Sequence, residues 1–318
     1  RRPDVGNDGR LLLDPGLRAR CHSVCSPRNL VEPSSDLEPA RGAAGATPEA
    51  TYARCRLMSR VLYLVYWGAL EPLGQSLVVP AVRKLASMGV SLTLVTFEKA
   101  DDLADRGSVA RLRDAFRRDK IDWRPLRYHK RPKWPATVFD LLVALLTALK
   151  LRLSGRFDVV HARTFVAGPV GWLVARLINA AFVYHNEGFY PDEQVDGGIW
   201  AAESGVHRFA RALEGFLYDH ADGLIVLSER AKAVLVGRRA VGRNRTPIVV
   251  VPSAVDLDAF QPCERPDGAP RPLSVVYLGS VGLRYRLDEA GKFVAALCRL
   301  RPEARLTVVS RARPSLVG

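Results

Sequence analysis

The sequence predicts an α/β protein made of two Rossmann-like, doubly wound domains, the second of them incomplete. From residue 61 onward, short apolar runs alternate with stretches that have helical periodicity. A segment rich in Pro interrupts this alternation at 261–272, and the alternation then restarts at Leu273. Short strands joined by helices form parallel β–α–β units, and such units stack into doubly wound sheets.

The first half of the alternation begins with a strand and a well-marked helix. Apolar residues at 77, 78, 81, 82 and 85 form one stripe of that helix, and Gly89 ends it. Continuous runs of Val, Leu and aromatic residues indicate strands buried on both faces. The predicted elements are strand 61–66, helix 74–88, strand 90–97, helix 101–118, strand 122–128 and helix 137–153.

The second half continues the pattern through four more strands and into the next domain. Ser228 is a suitable N-cap for a helix, and Pro252 ends the last strand before the linker. The predicted elements are strand 157–161, helix 168–178, strand 181–185, helix 203–221, strand 223–227, helix 229–236 and strand 248–251. Strand 273–278, helix 287–300 and strand 305–309 follow the linker.

These patterns divide the chain into four parts. Residues 1–57 show neither a helical stripe nor the alternation of a strand. The first Met of the chain is Met58, and the first predicted strand begins at Val61. We therefore expect 1–57 to be a non-native extension or a disordered arm. We expect 58–260 to be the N-terminal domain, 261–272 a linker and 273–318 the start of a truncated second domain, because two strands and a helix cannot close a core.

Composition and charge narrow the classes of function. Hydrophobic residues make up 48% of the 318 residues, and 47 Lys+Arg against 33 Asp+Glu give a net charge of +14. This charge predicts an anionic partner: a nucleic acid, a phosphorylated ligand or an acidic lipid surface. Nucleic acid is the least favoured, because no binding signature for it is evident. Five Cys exclude a disulfide scaffold, and no apolar run reaches the roughly 18 residues that span a bilayer.

A basic segment lies directly before the very apolar helix 137–153. It contains Lys130, Arg131, Lys133 and Trp134. Basic residues and a Trp beside an apolar helix suit contact with an anionic membrane surface. A buried core helix with a basic edge explains the same pattern equally well.

The loop after the first strand contains Gly68 and Gly74 and opens a helix. Backbone N–H groups at such a place can bind a phosphate. The glycines are six residues apart, so this is not the spacing of a nicotinamide-binding loop. A plain turn is the alternative. Glu71 and Gln75 lie in the same segment and are candidate contacts for an acceptor.

Polar side chains also follow the strand at 181–185, where α/β proteins bind ligands. His185 is a candidate acid, base or hydrogen-bonding partner of a sugar hydroxyl. Glu187, Asp192 and Glu193 are candidate acceptor contacts. A structural role for a histidine at a strand end is the alternative for His185.

The first strand of the second domain is followed by glycines and arginines. Gly279, Ser280 and Gly282 permit close approach of the backbone to a ligand. Arg284 and Arg286 could bind a diphosphate bidentately. A solvated basic turn is the alternative.

Four segments taken together resemble the family-4 glycosyltransferases of the GT-B type. They occur in the family's order and are 71–76 (Glu-Pro-Leu-Gly-Gln-Ser), 188–193 (Gly-Phe-Tyr-Pro-Asp-Glu), 251–260 (Val-Pro-x-x-Val-Asp-x-x-x-Phe) and 279–282 (Gly-Ser-x-Gly). The resemblance covers about residues 60–310. It implies two Rossmann-like domains, an N-terminal one for the acceptor and a C-terminal one for a nucleotide-sugar donor, and retaining transfer with no metal or other cofactor.

The resemblance also assigns roles to particular residues. It places Gly74 near the donor diphosphate, with Arg284, Arg286 or Lys292 as basic ligands and His185 at the family's active-site histidine. Close relatives of this type carry Asp-Arg-Gly around that position, whereas this chain has His-Asn-Glu-Gly. The family's Glu-x7-Glu segment is not within the 318 residues, so we expect the chain as given to be inactive.

The implied partners are a nucleotide sugar and a lipid-linked, polysaccharide or other small acceptor. The implied location is cytoplasmic and peripheral at the inner face of a membrane, in cell-envelope or polysaccharide synthesis. Two alternatives remain open. One is a non-catalytic module that binds acceptor or membrane, and the other is a different enzyme with two Rossmann-like domains, such as a sugar-nucleotide epimerase.

Overall fold

The computed structural model describes residues 59–238, 246–255, 257, 260–261, 273–279 and 286–310, without the side chains at 133 and 134. The expectations for residues 1–57, and those for Ser280, Gly282 and Arg284, lie outside these residues.

Seven strands form one sheet in which every neighbouring pair is parallel. Their order is β3-β2-β1-β4-β5-β6-β7. This arrangement confirms the predicted doubly wound α/β fold. The strands are β1 (Arg60–Val65), β2 (Ser91–Glu98), β3 (Asp122–Arg127), β4 (Val159–Arg163), β5 (Ala181–His185), β6 (Gly223–Val226) and β7 (Ile248–Val250).

Helices connect these strands as expected of β–α–β units. A π-helical turn at Gly74–Val78 runs directly into α1 (Val79–Ser87). The following helices are α2 (Ala100–Ala104), α3 (Arg106–Arg118), α4 (Lys133–Leu153), α5 (Gly168–Ile178), α6 (Tyr190–Asp196), α7 (Gly205–His220) and α8 (Glu229–Arg238).

The hydrophobic core lies on both faces of the sheet because side chains alternate along each strand. On one face, Leu62 and Leu64 pack with residues of α4, α5 and α7. On the other face, Tyr63 and Val65 pack with the helix after β1 and with Phe116 of α3. Burial on both faces explains why the strands appear in the sequence as continuous apolar runs.

Several elements differ from their predicted bounds. The helix predicted at 101–118 is broken at Asp105, whose carboxylate accepts a hydrogen bond from Ser108 N at 3.0 Å and so begins a new helix. Helix α4 begins at Lys133, four residues earlier than predicted. Strand β4 ends at Arg163, two residues later than predicted. The predicted N-cap is confirmed, since Ala231 N donates to Ser228 Oγ at 3.1 Å.

A separate two-stranded parallel sheet follows the linker region. It consists of β8 (Ser274–Leu278) and β9 (Arg305–Val309), joined by α9 (Leu287–Leu300). The restart of the alternation after the linker is therefore confirmed as a second β–α–β unit. The boundaries between the four parts stay predictions.

Candidate functional site

The strand order reverses at β1, because β2 and β3 lie on one side of it and β4 to β7 on the other. In open parallel sheets, ligands bind beyond the carboxyl ends of the strands at such a reversal. The register brings Tyr63 of β1 beside His161 of β4, and Arg163 of β4 beside His185 of β5. The segments that follow β1, β4 and β5 therefore form the candidate site.

The loop after β1 is compact because its two glycines touch. A Cβ at Gly74 would lie 1.9 Å from the carbonyl oxygen of Gly68, and a Cβ at Gly68 would lie 2.6 Å from Oε2 of Glu98. A side chain at Gly74 would force the loop backbone to shift, and one at Gly68 would force the Glu98 carboxylate to move. The spacing of six residues thus has a structural reason, whichever role the loop has in binding.

Two carboxylates already use the N–H groups of this loop. Gly68 N donates to Oε1 of Glu71 at 3.2 Å. Ala69 N donates to Oε1 of Glu98 at 2.8 Å, and Leu70 N donates to Oε2 of Glu98 at 3.1 Å. These N–H groups were expected to be free for a phosphate, and in this conformation they are not. The donor-binding roles of Gly68 and Gly74 stay predictions.

Glu98 is a buried carboxylate that connects the loop to the sheet. It is fully buried at the end of β2, and burial raises its pKa against the opposing effect of its hydrogen bonds. The hydroxyl of Thr96 donates to it at 2.5 Å, and Trp123 Nε1 donates to that hydroxyl at 2.9 Å. Glu98 therefore holds Ala69 and Leu70 in place through a chain of buried hydrogen bonds.

Two predicted acceptor contacts are turned toward the loop itself. Glu71 pairs with Lys99 in addition to accepting from Gly68 N. The side-chain amide of Gln75 donates to the carbonyl oxygen of Ala69 at 2.5 Å. Both side chains stabilise the loop in this conformation, and their contact with an acceptor stays a prediction.

A buried arginine joins three parts of the site. The Arg163 guanidinium forms an ion pair with Glu187, and its Nη1 donates to the carbonyl oxygen of Leu77 at 2.8 Å. The same nitrogen lies 3.4 Å from the Tyr63 hydroxyl. The Arg163 side chain is 4% exposed. Arg163 thus ties the helix after β1 to the segment after β5, where Glu187 was predicted as an acceptor contact.

Two histidines lie side by side on the same face of the sheet. His161 Nε2 is 3.4 Å from His185 Nδ1, and the His161 ring lies 4.2 Å from the Tyr63 ring. Burial, reinforced by the charge of Arg163, lowers the pKa of His161 to about 3 and that of His185 to about 2. Both imidazoles are therefore neutral at neutral pH.

Two buried polar atoms here have no hydrogen-bond partner within the described residues: Nε2 of His185 and the hydroxyl of Thr164. Thr164 directly follows β4, and its φ of 79° is unusual for a β-branched residue. Its N–H donates to the carbonyl oxygen of His185 at 3.2 Å. Strained backbone and unsatisfied buried polar groups are typical of sites that bind a ligand.

The stretch after Gly188 forms helix α6, which was not predicted. Asp192 of this helix is paired with Arg211, Arg238 and His207, and its carboxylate lies 2.7 Å from Arg211 Nη1. A Cβ at Gly188 would lie 1.9 Å from Oε1 of Glu193, so this carboxylate packs over the glycine. Asp192 therefore anchors α6 to α7 and α8, and contact of either acid with an acceptor stays a prediction.

The predicted donor-side residues that the structure describes lie at the start of α9. Arg286 Nη2 lies 2.8 Å from Glu289 Oε1, and Lys292 Nζ lies 3.1 Å from the same oxygen. Both basic side chains are largely exposed. Their donor-binding role stays a prediction, as does that of Gly279.

The basic segment forms the approach to α4. Lys130 and Arg131 are exposed, and the backbone of 133 and 134 opens the helix.

Within the described residues, no helix is both long enough and apolar enough to cross a bilayer. Over the same residues, no group of three or more His, Cys, Asp or Glu could hold a metal ion.

Sequence reasoning missed four residues of this site: Tyr63, Glu98, His161 and Arg163. A usable signal was present for two of them, because His161 and Arg163 interrupt an otherwise apolar strand at a spacing of two. Such a spacing places both polar side chains on one face of the sheet. Ending the predicted strand at His161 concealed this relation.

The family match and the curated relative are both glycosyltransferases. Residues 78–254 match the glycosyl transferase 4-like domain family. Over 189 residues the chain is 25% identical to the D-inositol 3-phosphate glycosyltransferase of Streptosporangium roseum, an alignment that covers 59% of this chain and 42% of that protein. The chain thus spans less than half of the curated relative that it matches.

Solved structures show the same fold. Sucrose-phosphate synthase from Thermosynechococcus elongatus aligns with a TM-score of 0.52 at 16% identity, covering 81% of this chain and 63% of that one. UGT2 of Phytolacca americana, complexed with UDP-2fluoro-glucose and pterostilbene, aligns with a TM-score of 0.53 at 10% identity, covering 81% and 72%. The fold is that of GT-B glycosyltransferases, and with the family match spanning more than half of its length, the chain belongs to the glycosyl transferase 4-like domain family.

Proposed function

We propose that the protein is a retaining glycosyltransferase that transfers a hexosyl group from a nucleotide sugar to an acceptor hydroxyl. One observation carries the proposal: within the family-matched span, the histidine and arginine cluster lies at the reversal of strand order and leaves His185 Nε2 without a partner among the described residues. A neutral, buried imidazole with one unused nitrogen is suited to hydrogen-bond a sugar hydroxyl.

The donor in this proposal is a nucleotide sugar, bound without a metal. UGT2 of Phytolacca americana was solved in complex with UDP-2fluoro-glucose, which supports this class of donor. The N-terminal loop would approach the diphosphate from one side and the second β–α–β unit from the other. The proposed donor contacts are Gly68, Gly74, Gly279, Ser280, Gly282, Arg284, Arg286 and Lys292.

The low pKa of His185 decides its role in this proposal. With a pKa of about 2, His185 is too weak a base to accept the acceptor's proton at neutral pH. If His161 Nε2–H donates to His185 Nδ1, then Nδ1 of His185 acts as an acceptor and the single proton of the neutral His185 ring is on Nε2. From there it can be donated to a sugar hydroxyl. His185 would therefore orient a hydroxyl and stabilise charge as the bond breaks.

The proposed chemistry is a front-side displacement. The bond between the anomeric carbon and the diphosphate oxygen breaks, and the acceptor oxygen forms the new bond on the same face. The acceptor's proton passes to the departing phosphate oxygen. Basic donor-side residues would stabilise the leaving diphosphate, which is electrostatic catalysis.

The proposed acceptor is lipid-linked, part of a polysaccharide or another small molecule, contacted by Glu187 and its neighbours. The Streptosporangium roseum relative is a D-inositol 3-phosphate glycosyltransferase, and the net charge of +14 suits an anionic acceptor. We propose that the protein works at the inner face of a membrane, where lipid-linked acceptors are available.

The experiment uses the complete protein with UDP-, GDP- and ADP-sugars, and release of nucleoside diphosphate is measured. We expect turnover with one donor and an α-linked product from an α-linked donor, observed by NMR of the anomeric proton. An inverted product would contradict retention. Absence of turnover and of binding with all donors would contradict the enzyme itself.

A further inference from the structure

Helix α4 has an exposed apolar stripe that runs from Val138 to Leu153. Val138, Phe139, Leu142, Leu146 and Leu153 are between 52% and 87% exposed. Their spacing follows the helical repeat, so they share one side of the helix. Exposed aliphatic and aromatic side chains in a continuous row indicate a surface that binds a partner.

The opposite side of α4 packs on the domain core. Ala136, Asp140, Ala144 and Ala148 are at most 6% exposed and recur every four residues. The helix is therefore neither a buried core helix nor a membrane-spanning one. One side packs against the core, and the other is exposed from Val138 to Leu153.

The exposed charged residues of α4 and of its flanking segments are all basic. Between residues 129 and 156 the only acidic residue is Asp140, which is fully buried. It accepts hydrogen bonds from the Tyr66 hydroxyl at 2.9 Å and from His129 N at 3.0 Å. The basic residues of this stretch are Lys130, Arg131, Lys133, Lys150, Arg152 and Arg156.

We propose that α4 lies in the plane of an anionic lipid bilayer, with its apolar stripe in the acyl region and the flanking basic residues at the headgroups. An apolar stripe whose own helix and flanking segments carry only basic residues besides the buried Asp140 suits anionic lipid. A protein partner of mixed charge would favour acidic groups beside the stripe as well. Lys150 and Arg152 lie near the end of the helix on either side of the stripe, since they are four and six residues beyond Leu146.

The position of α4 joins this surface to the candidate site. Tyr66 directly follows β1, and its hydroxyl donates to Asp140 on the buried side of α4. A bilayer on the open side would therefore lie next to the carboxyl edge of the sheet. This part of the inference rests on the proposed function, because it gives the surface the task of presenting a lipid-linked acceptor to that edge.

The test is cosedimentation of the complete protein with vesicles of phosphatidylcholine containing phosphatidylglycerol, compared with vesicles of phosphatidylcholine alone. We expect binding only to the anionic vesicles, weakened by added salt because the charges are exposed. The double variant Leu142→Gln, Leu146→Gln should bind at least about tenfold more weakly. The matched control is Leu177→Gln, which changes a 58% exposed leucine of α5 outside the stripe and should bind like the wild type.

Three results would overturn the proposal. The first is that the wild type does not bind anionic vesicles, and the second is that the double variant binds them as well as the wild type does. The third is that the wild type forms a dimer in solution and binds no vesicles, and that the double variant disrupts this dimer. Circular dichroism confirms that the double variant is folded. Donor turnover is assayed separately with a water-soluble acceptor, so failure of the proposed function and failure of the membrane surface give different results.

Discussion

The loop after β1 and the end of β5 lie at the same edge of the sheet, yet their polar groups are satisfied to different degrees. In the loop, Glu71 and Glu98 accept hydrogen bonds from successive backbone N–H groups. At the end of β5, His185 Nε2 is buried without a partner among the described residues. Unsatisfied buried polar groups are costly, so the second region retains a binding capacity that the first has used within the protein.

This difference distinguishes residues that hold the site together from a residue that is available to bind a ligand. Glu98 and Arg163 hold backbone segments in place through buried contacts. His185 lies at the end of β5, beside Arg163 of β4, and its carbonyl oxygen accepts a hydrogen bond from the N–H of the strained Thr164. We therefore expect changes in the scaffold to reduce stability and activity together, and changes at His185 to reduce activity with little loss of stability at neutral pH.

Arg163→Met should have the largest effect. It leaves the Glu187 carboxylate buried without its partner, which lowers the free energy of unfolding by about 3–5 kcal/mol. Urea denaturation measures this. The control is Arg83→Met, which removes an ion pair to Asp119 from a side chain that is 52% exposed and should cost less than about 1 kcal/mol. Similar losses of unfolding free energy in both variants would contradict the claim that the buried contacts of Arg163 stabilise the fold.

Gly74→Ala should rank second. The new Cβ would meet the Gly68 carbonyl oxygen at 1.9 Å, so the loop must move, at a cost of about 3 kcal/mol. Gly215→Ala is the matched control, because a Cβ there meets nothing within 4 Å inside α7. The control should gain about 0.5–1 kcal/mol from helix propensity. A stable, active Gly74→Ala variant would show that the loop adapts to a side chain.

Glu98→Gln should rank third. An amide offers one acceptor oxygen where the carboxylate offers two, and its NH2 group would face an N–H donor of the loop. We expect a loss of about 2 kcal/mol and a higher KM for the donor. Glu229→Gln, at an exposed position of α8, should change both quantities little. An unchanged KM for the donor in Glu98→Gln would show that the conformation of this loop does not affect donor binding.

His185→Gln should have the smallest effect on stability, and that effect should depend on pH. Burial lowers the pKa of His185 from 6.5 to about 2, so at mildly acidic pH only the unfolded chain binds a proton here. This contribution to stability is therefore present above pH 6.5 and lost as the pH falls. In the variant, the decrease in unfolding free energy between about pH 6 and 4.5 should be smaller by about 1.4 kcal/mol per pH unit. An identical pH dependence would contradict the burial of a neutral His185.

The sequence predicted most of the sheet because parallel strands buried on both faces are continuous apolar runs. Helix α5 and strand β5 have the predicted bounds. Helix α6 was missed because Tyr190–Asp196 has no apolar stripe. The position of His185 was predicted from the strand end alone. Its partners were not, because the pairing of Tyr63 with His161 and of Arg163 with His185 is a register between strands that distant segments set only on folding.

The central claim is that His185 acts on the substrate. The most direct test is kcat/KM of the complete protein with its preferred sugar nucleotide, for wild type, His185→Gln and the control His220→Gln, which changes an exposed histidine at the end of α7. At neutral pH we expect a loss of at least about a hundredfold for His185→Gln, with folding retained, and no significant loss for His220→Gln. Equal activity of all three proteins would contradict the account.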